Sequence, residues 1–259
     1  MVTASGPATW ADLDRELDAW RVLGRAAPLW WRDDDAIAAT SALARLQTVS
    51  GEGGVPVCLA VIPAAMTDDL APALAAHVTV VPHGFAHRNH AGPGARKAEF
   101  GADRPLSVMA AEVAAGWQRI RDRFAARARP VFVPPWNRVT EALLPHLRQA
   151  GLTGLSAKGP RAIPSVTGIT VRDVAVDIID WRGGRGFLGT GAVLGQIVEG
   201  LQARRLGEGD ADHGPLGILT HHLVHDDAAW DFLVALCRHL DRSGAVRWQD
   251  VDAVFTRAG

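Results

Sequence analysis

Seven short apolar runs, separated mostly by helix-like stretches, constrain this chain more than any other feature. They fall at residues 28–31, 55–62, 78–81, 130–133, 152–156, 169–178 and 216–219. Strands that alternate with helices predict an α/β fold with a parallel sheet or a β/α barrel. The longest apolar stretch, 55–66, contains Pro56 and Pro63 and is too short to span a bilayer. In such folds the reactive residues gather at the carboxyl ends of the strands.

The intervening pattern supplies the helices. Trp10, Leu13, Leu17 and Trp20 fall at helical spacing behind Thr9, a candidate N-cap, and predict a helix over 10–23. Further helices are expected over 38–49, 67–76 (capped by Thr67 or Asp68), 106–128, 141–150 and 192–204, with one running from Asp226 as cap to Leu240. Residues 84–105 carry Gly92-Pro93-Gly94 and little periodicity, and read as a long loop of the kind that is often functional. No linker divides the chain. The expected organisation is a helical extension over 1–27 packed on one barrel domain over 28–259.

Composition narrows the function. Hydrophobic residues make up 48% of the 259, enough for a sizeable core, and the net charge is -1. No general attraction to nucleic acid or to an anionic membrane follows from that balance. Arg119, Arg121, Arg123, Arg127 and Arg129 spread around a helix and read as a solvated face. Lys97 and Lys158 are the two lysines, which reads as compositional bias toward arginine. Cys58 and Cys237 lie in apolar settings and read as buried free thiols. Asp12, Asp14, Arg15, Glu16 and Asp18 crowd the N-terminal region without an apolar core, so no secretory signal is read there and a cytoplasmic location is expected.

Four strand ends carry the chemistry. Asp33, Asp34 and Asp35 repel one another, so a nearby cation would relieve a cost; the same triplet also reads as a solvated turn or cap. Side chains alternate along an extended chain, so all three cannot face one site. His83 and His87, four residues apart, would share one face of a helical turn within reach of one metal ion, with His90 as a third candidate. They read alternatively as surface histidines in a loop. Asp177 and Asp180 precede Trp181, where they could orient a histidine or merely cap a turn. His221 and His222 close the last strand, with His225 close behind. Pro134-Pro135-Trp136-Asn137 follows the fourth run as a stiff loop able to aim a main-chain N–H at an oxyanion, or to lay Trp136 on the core as a lid. Trp136 and Trp181 adjoin this site, and their rings would suit a sugar. A carboxylate with two histidines can hold a divalent metal, and a further acid and histidine can move protons beside it. The combination points to metal-assisted hydrolysis.

In this order the segments resemble those of the polysaccharide deacetylase family (NodB-homology, carbohydrate esterase 4-like), over roughly residues 28–225. Arg32-Asp33-Asp34-Asp35-Ala36 stands where that family has Thr-Phe-Asp-Asp-Gly. His83 to His87 matches its His-Ser/Thr-x-x-His, with Gly84 in the hydroxyl position. Val133-Pro134-Pro135-Trp136 resembles its Arg-Pro-Pro-Tyr segment, Asp177 to Trp181 matches Asp-x-x-Asp-Trp, and Ile218-Leu219-Thr220-His221 resembles its apolar run ending in histidine.

The resemblance implies a distorted β/α barrel of about seven parallel strands, in agreement with the strand count. It implies a metal-dependent deacetylase for an N-acetylated sugar or related amide. Asp35, His83 and His87 would hold a zinc-type divalent ion. Asp34 would be the base, His221 the acid, and Asp177 or Asp180 would tune His221, while the Trp136 N–H meets the oxyanion. Arg32, Asn137, Trp181 and His222 are expected to contact substrate. Two departures stand out: Val133 replaces an arginine that orients the base, for which Arg32 and Arg138 are candidate substitutes, and Gly84 lacks the hydroxyl that steadies the second motif. The missing arginine leaves open a non-catalytic, metal-dependent carbohydrate-binding protein, and hydrolysis of a non-sugar C–N bond is a third reading.

Overall fold

The computed structural model describes residues 6–158, 168–207 and 214–256. The outermost residues of the expected division, 1–5 and 257–259, lie outside them. The main sheet is built from β1 (Ala27–Ala36), β2 (Val57–Val61), β3 (Val78–Pro82), β7 (Val174–Asp177) and β8 (Leu216–Thr220), in the order β3-β2-β1-β8-β7. A second sheet holds β4 (Val131–Phe132), β5 (Gly154–Leu155) and β6 (Thr170–Val171). All of these ladders are parallel.

Single-residue parallel bridges join the two sheets on both sides: Val80 to Ala128 and His83 to Val133 at one seam, Lys158 to Val174 at the other. The strands thus follow one another around an α/β single-domain barrel whose seams are single bridges, and that is where its distortion lies. The run at 169–178 is one path broken into β6 and β7, so the seven expected runs map onto the ring. A short strand, β9 (Val246–Trp248), adds to the start of β1 and is absent from the sequence reading.

Alternation along β1 sorts the side chains into layers. Leu29 and Trp31 join the large cluster beneath the helices, while Trp30 belongs to a smaller cluster with Cys58, Ala60, Val81, Val133 and Leu219. Cys58 and Cys237 are both buried and unpaired, as expected, and burial pushes the Cys237 thiol up to about 12.

The helices are α1 (Trp10–Val22), α2 (Ser41–Glu52), α3 (Leu106–Phe124), α4 (Leu144–Gln149), α5 (Thr190–Leu206), α6 (Asp227–Ser243) and α7 (Val251–Phe255). Thr9 and Asp12 form a capping box on α1, and the Asp226 side chain accepts from the Ala229 N–H to start α6. Two expectations need correction. Residues 67–76 form turns around a single 3-10 turn at Ala71–Ala73, because Pro72 and the run of small alanines supply no continuous apolar face. The helix expected to reach 128 ends at Phe124, where Ala125 turns to φ 46. Among the described residues no helix is long and apolar enough to cross a membrane.

Candidate metal centre and active site

The acidic triplet sits at the carboxyl end of β1, where the register slips. Asp33 pairs with Leu59 and Ala36 with Val61, so Asp34 and Asp35 together oppose one residue of β2. Asp35 takes φ 72 in this bulge. A bulge re-aims side chains, and here it lets two adjacent aspartates line one cleft while Asp33 points away. The cleft has a volume of about 680 Å³.

Asp35 Oδ1 lies 3.1 Å from His83 Nε2 and 3.2 Å from His87 Nε2. His83 Nδ1–H donates to the Val133 carbonyl at 3.0 Å, which leaves the Nε2 lone pair facing the carboxylate. Lone pairs gathered in this way repel unless a cation lies among them. Asp35 Oδ1 is accordingly a buried oxygen without a hydrogen bond, and the three ligand atoms lie within 4.8 Å of one another. An Asp/His₂ set of this kind fits a divalent ion and leaves coordination positions open. Burial pushes His87 below its ordinary value, toward the neutral form that a ligand requires.

The two histidines do not share a helical turn. They flank a tight loop in which Gly84 has φ 60 and His87 φ 53. Beneath that loop lies Glu99, 1% exposed. Its carboxylate accepts the N–H groups of Phe85 at 3.1 Å and Ala86 at 2.7 Å, with a longer contact to Arg88 at 3.4 Å. A β-carbon at Gly84 would stand 2.2 Å from Glu99 Oε2 and 2.5 Å from Pro135 Cδ. Glycine at 84 is therefore the space that the Glu99 carboxylate needs, and Glu99 does the steadying that a hydroxyl at 84 would otherwise do.

Arg32 resolves the missing arginine. It is 0% exposed and sits one alternation step below Asp34, among the inward side chains of β1. Its Nε lies 2.9 Å from Asp34 Oδ1, and its Nη2 donates to Asp34 Oδ2 at 2.9 Å. The remaining donors reach Ser156 Oγ at 2.7 Å and Asn137 Oδ1 at 2.8 Å. The side chain of Val133 belongs to the apolar cluster below. Arg32 is thus a support for Asp34, and the expectation that it touches substrate is corrected: its side chain is fully buried and does not line the cleft. Arg138 turns outward and donates to the Lys97 carbonyl at 2.7 Å.

At the end of β8, the strand that pairs with β1 up to Asp33↔Thr220, His221 packs edge-on against Trp181, ring centroids 4.7 Å apart at 76°. Its Nδ1 is buried without a hydrogen bond. Asp177 accepts from Lys158 Nζ at 2.6 Å and from Trp181 Nε1 at 3.0 Å. Its link to His221 therefore runs through the indole, without a direct hydrogen bond. Asp180 is corrected to a turn residue, because its Oδ1 accepts the N–H groups of Arg182 at 3.1 Å and Gly183 at 2.8 Å.

His222 is corrected as well. Its ring is buried against Asp33, whose other carboxylate oxygen accepts from the His222 N–H at 3.0 Å. His225 receives the His221 N–H at 3.3 Å and packs on Trp230. His90 is exposed and does not line the cleft. Trp136, with φ 54, places its ring 4.4 Å from that of His87, and Asn137 stands beside it at φ 55. Both line the cleft.

Glu99 and Lys158 are the site residues that sequence reasoning missed. Lys158 had a signal: the two lysines of this arginine-rich chain, Lys97 and Lys158, both line the cleft. Arg32 had one too, in the period-two series Trp30, Arg32, Asp34.

No protein-family model matches the sequence, and no curated protein matches it. Solved structures do match, at low identity. A candidate polysaccharide deacetylase from Mycobacterium smegmatis superposes with TM-score 0.65 and 13% identity, over 98% of this chain and 94% of that one. A family 4 carbohydrate esterase from Streptomyces lividans, in complex with acetate, gives TM-score 0.52 and 16% identity, over 84% and 87%. A mutant of BA3943, a CE4 family pseudoenzyme of Bacillus anthracis with restored enzymatic activity, gives 0.59 and 13%, over 90% and 68%. The chain shares the fold of the family 4 carbohydrate esterases and polysaccharide deacetylases.

Proposed function

We propose that this chain is a metal-dependent hydrolase that removes the acetyl group from an N-acetylated sugar or a closely related amide. The fold alone does not decide this, since a pseudoenzyme carries it too. The observation that supports the reading is the convergence of Asp35, His83 and His87 on one point beside an Arg32-braced Asp34, with His221 at the end of the neighbouring strand β8.

Asp35, His83 and His87 would hold a divalent ion, zinc in this proposal, which would supply Lewis acidity to the acyl carbonyl and to a water. The remaining work belongs to side chains. Asp34 accepts the proton of the attacking water, held in orientation by the Arg32 fork. The Trp136 N–H, set in a proline-stiffened turn, donates toward the developing oxyanion. His221 hands a proton to the departing nitrogen, its ring fixed against Trp181 and through it to Asp177. Trp136 and Trp181 offer faces for a sugar ring. The proposal keeps a cytoplasmic location, for which two unpaired thiols are the support.

The test is acetate release from N-acetylated sugars, with and without added metal, beside Asp34→Asn. The expected outcome is metal-dependent release that falls by about 10²–10⁴-fold in the variant while metal is retained. Saturable sugar binding with no acetate released under any metal would replace this reading with the non-catalytic one.

A further inference from the structure

Cations gather at the mouth of the cleft in a way that the overall charge does not predict. The chain is near neutral at -1. Yet Arg96, Lys97, Arg182 and Arg185 all line this one opening. Of the acids that line it, Asp34 is paired with Arg32 and Asp177 with Lys158, while Asp35 faces the candidate metal position. Cations therefore outnumber carboxylates among the lining residues.

The cations stand on anchored backbone at two sides of the opening. On one side, Arg138 donates to the Lys97 carbonyl, and Asn89 Oδ1 accepts the Ala98 N–H at 3.0 Å. On the other, the turn bearing Arg182 and Arg185 is closed by Asp180, and Asp226 Oδ2 accepts the Phe187 N–H at 2.9 Å just beyond it. Arg185 adopts φ 59 with Gly184 and Gly186 as neighbours. Glycine is the residue that such a left-handed position favours. An arginine held there accepts backbone strain while lining the opening.

We propose that the substrate is phosphorylated, with its phosphate held by these rim cations while the acyl-amide reaches Asp34 and Asp35. This rests on the deacetylase reading and adds the substrate class. Guanidinium forks match phosphate oxygens in pairs, and a group bearing close to two negative charges suits several cations better than one carboxylate does. A soluble sugar phosphate and a lipid-diphosphate-linked sugar present the same chemistry.

The test uses ligands that cannot be hydrolysed, so it is independent of turnover. Calorimetry on the full chain would compare glucosamine, its phosphate monoester, a sugar carboxylate of similar size and a short prenyl-diphosphate-linked glucosamine. Either phosphorylated ligand should bind at least about tenfold tighter than glucosamine, with the margin shrinking as salt rises. The tighter of the two identifies the source. The Arg182→Gln/Arg185→Gln double variant should weaken the phosphate ester by about fivefold, and Arg96→Gln/Lys97→Gln should repeat the loss from the other side. Equal affinity for glucosamine and the phosphate ester, or a carboxylate bound as tightly as the phosphate, would overturn the proposal even if acetate release is found. Phosphate preference without any acetate release would keep the phosphate site at the rim but overturn the deacetylase reading, and with it the assignment of an acyl-amide substrate.

Discussion

The two halves of the barrel are held together by different means. Around β1, the ladders to β2, β3 and β8 run over four or five residue pairs each. Across the ring, β4, β5 and β6 share ladders of two pairs. The long-laddered half carries Asp34 and Asp35 in its β1 bulge and fixes His83 through the His83 N–H, which donates to the Val61 carbonyl at 2.7 Å. The short-laddered half, which contributes Trp136, Asn137 and Lys158, needs side chains to fix it. Arg32 is the main one, since it leaves β1 and bonds both Ser156 and Asn137 on the far side. A single buried guanidinium thus braces Asp34, the proposed base, and also ties the weaker half to the stronger. The lesson is that the support of a site carboxylate and a structural tie can be the same side chain.

The largest expected effect comes from cutting that tie. Arg32→Met leaves Asp34 buried and unpaired, and should cost about 3–5 kcal/mol in denaturant unfolding. Amide exchange should accelerate at Val131–Phe132 and Gly154–Leu155 more than in β2. Uniform acceleration in both halves would break the comparison.

The next effect sharpens it. The His83–His87 loop leaves the strong half but is held by Glu99 from below. Glu99→Gln weakens charge-assisted bonds to two well-placed N–H groups, at a cost of about 1–3 kcal/mol. It should also lower metal affinity about 10–100-fold, as loss of an outer-shell support does. A metal titration with unchanged affinity would show that the loop holds its shape without Glu99.

The smallest effect probes a weakness in the strong half itself. Burial, together with the charges of His222 and His221, pushes His225 down to about 4, against a weaker upward pull from Asp33. The unfolded chain takes up this proton near 6.5, so between there and about 4 the unfolded state binds more protons and stability falls as pH drops. Discounted for partial exposure, the loss is on the order of 1 kcal/mol. His225→Gln should flatten that part of the stability profile, and an unchanged slope would assign it to another group.

Much of this was legible in the sequence because it rests on periodicity. Seven strand runs, the helix caps at Thr9 and Asp226, and the strand-end placement of Asp34, Asp35, His83 and His221 all follow from local pattern. What escaped depends on contacts far along the chain. Glu99 lies in a stretch with no periodicity, and its burial follows from partners at Phe85 and Ala86 that only the folded loop supplies. Arg32 was legible as a candidate for the missing arginine but was also expected to touch substrate, because a fully buried arginine is uncommon and its partners at 137 and 156 are over a hundred residues away. Asp180 and His222 read as site residues by adjacency. The turn after β7 and the alternation after β8 send them elsewhere. The bulge that brings Asp34 and Asp35 to one cleft leaves no mark in the residue types.

The most direct test of the account is elemental metal analysis of the purified protein beside His87→Ala, a partly exposed loop position whose loss the fold should tolerate. The account predicts about one equivalent of a divalent ion in the unaltered chain, lost in the variant. No metal in either, even after reconstitution, would contradict it.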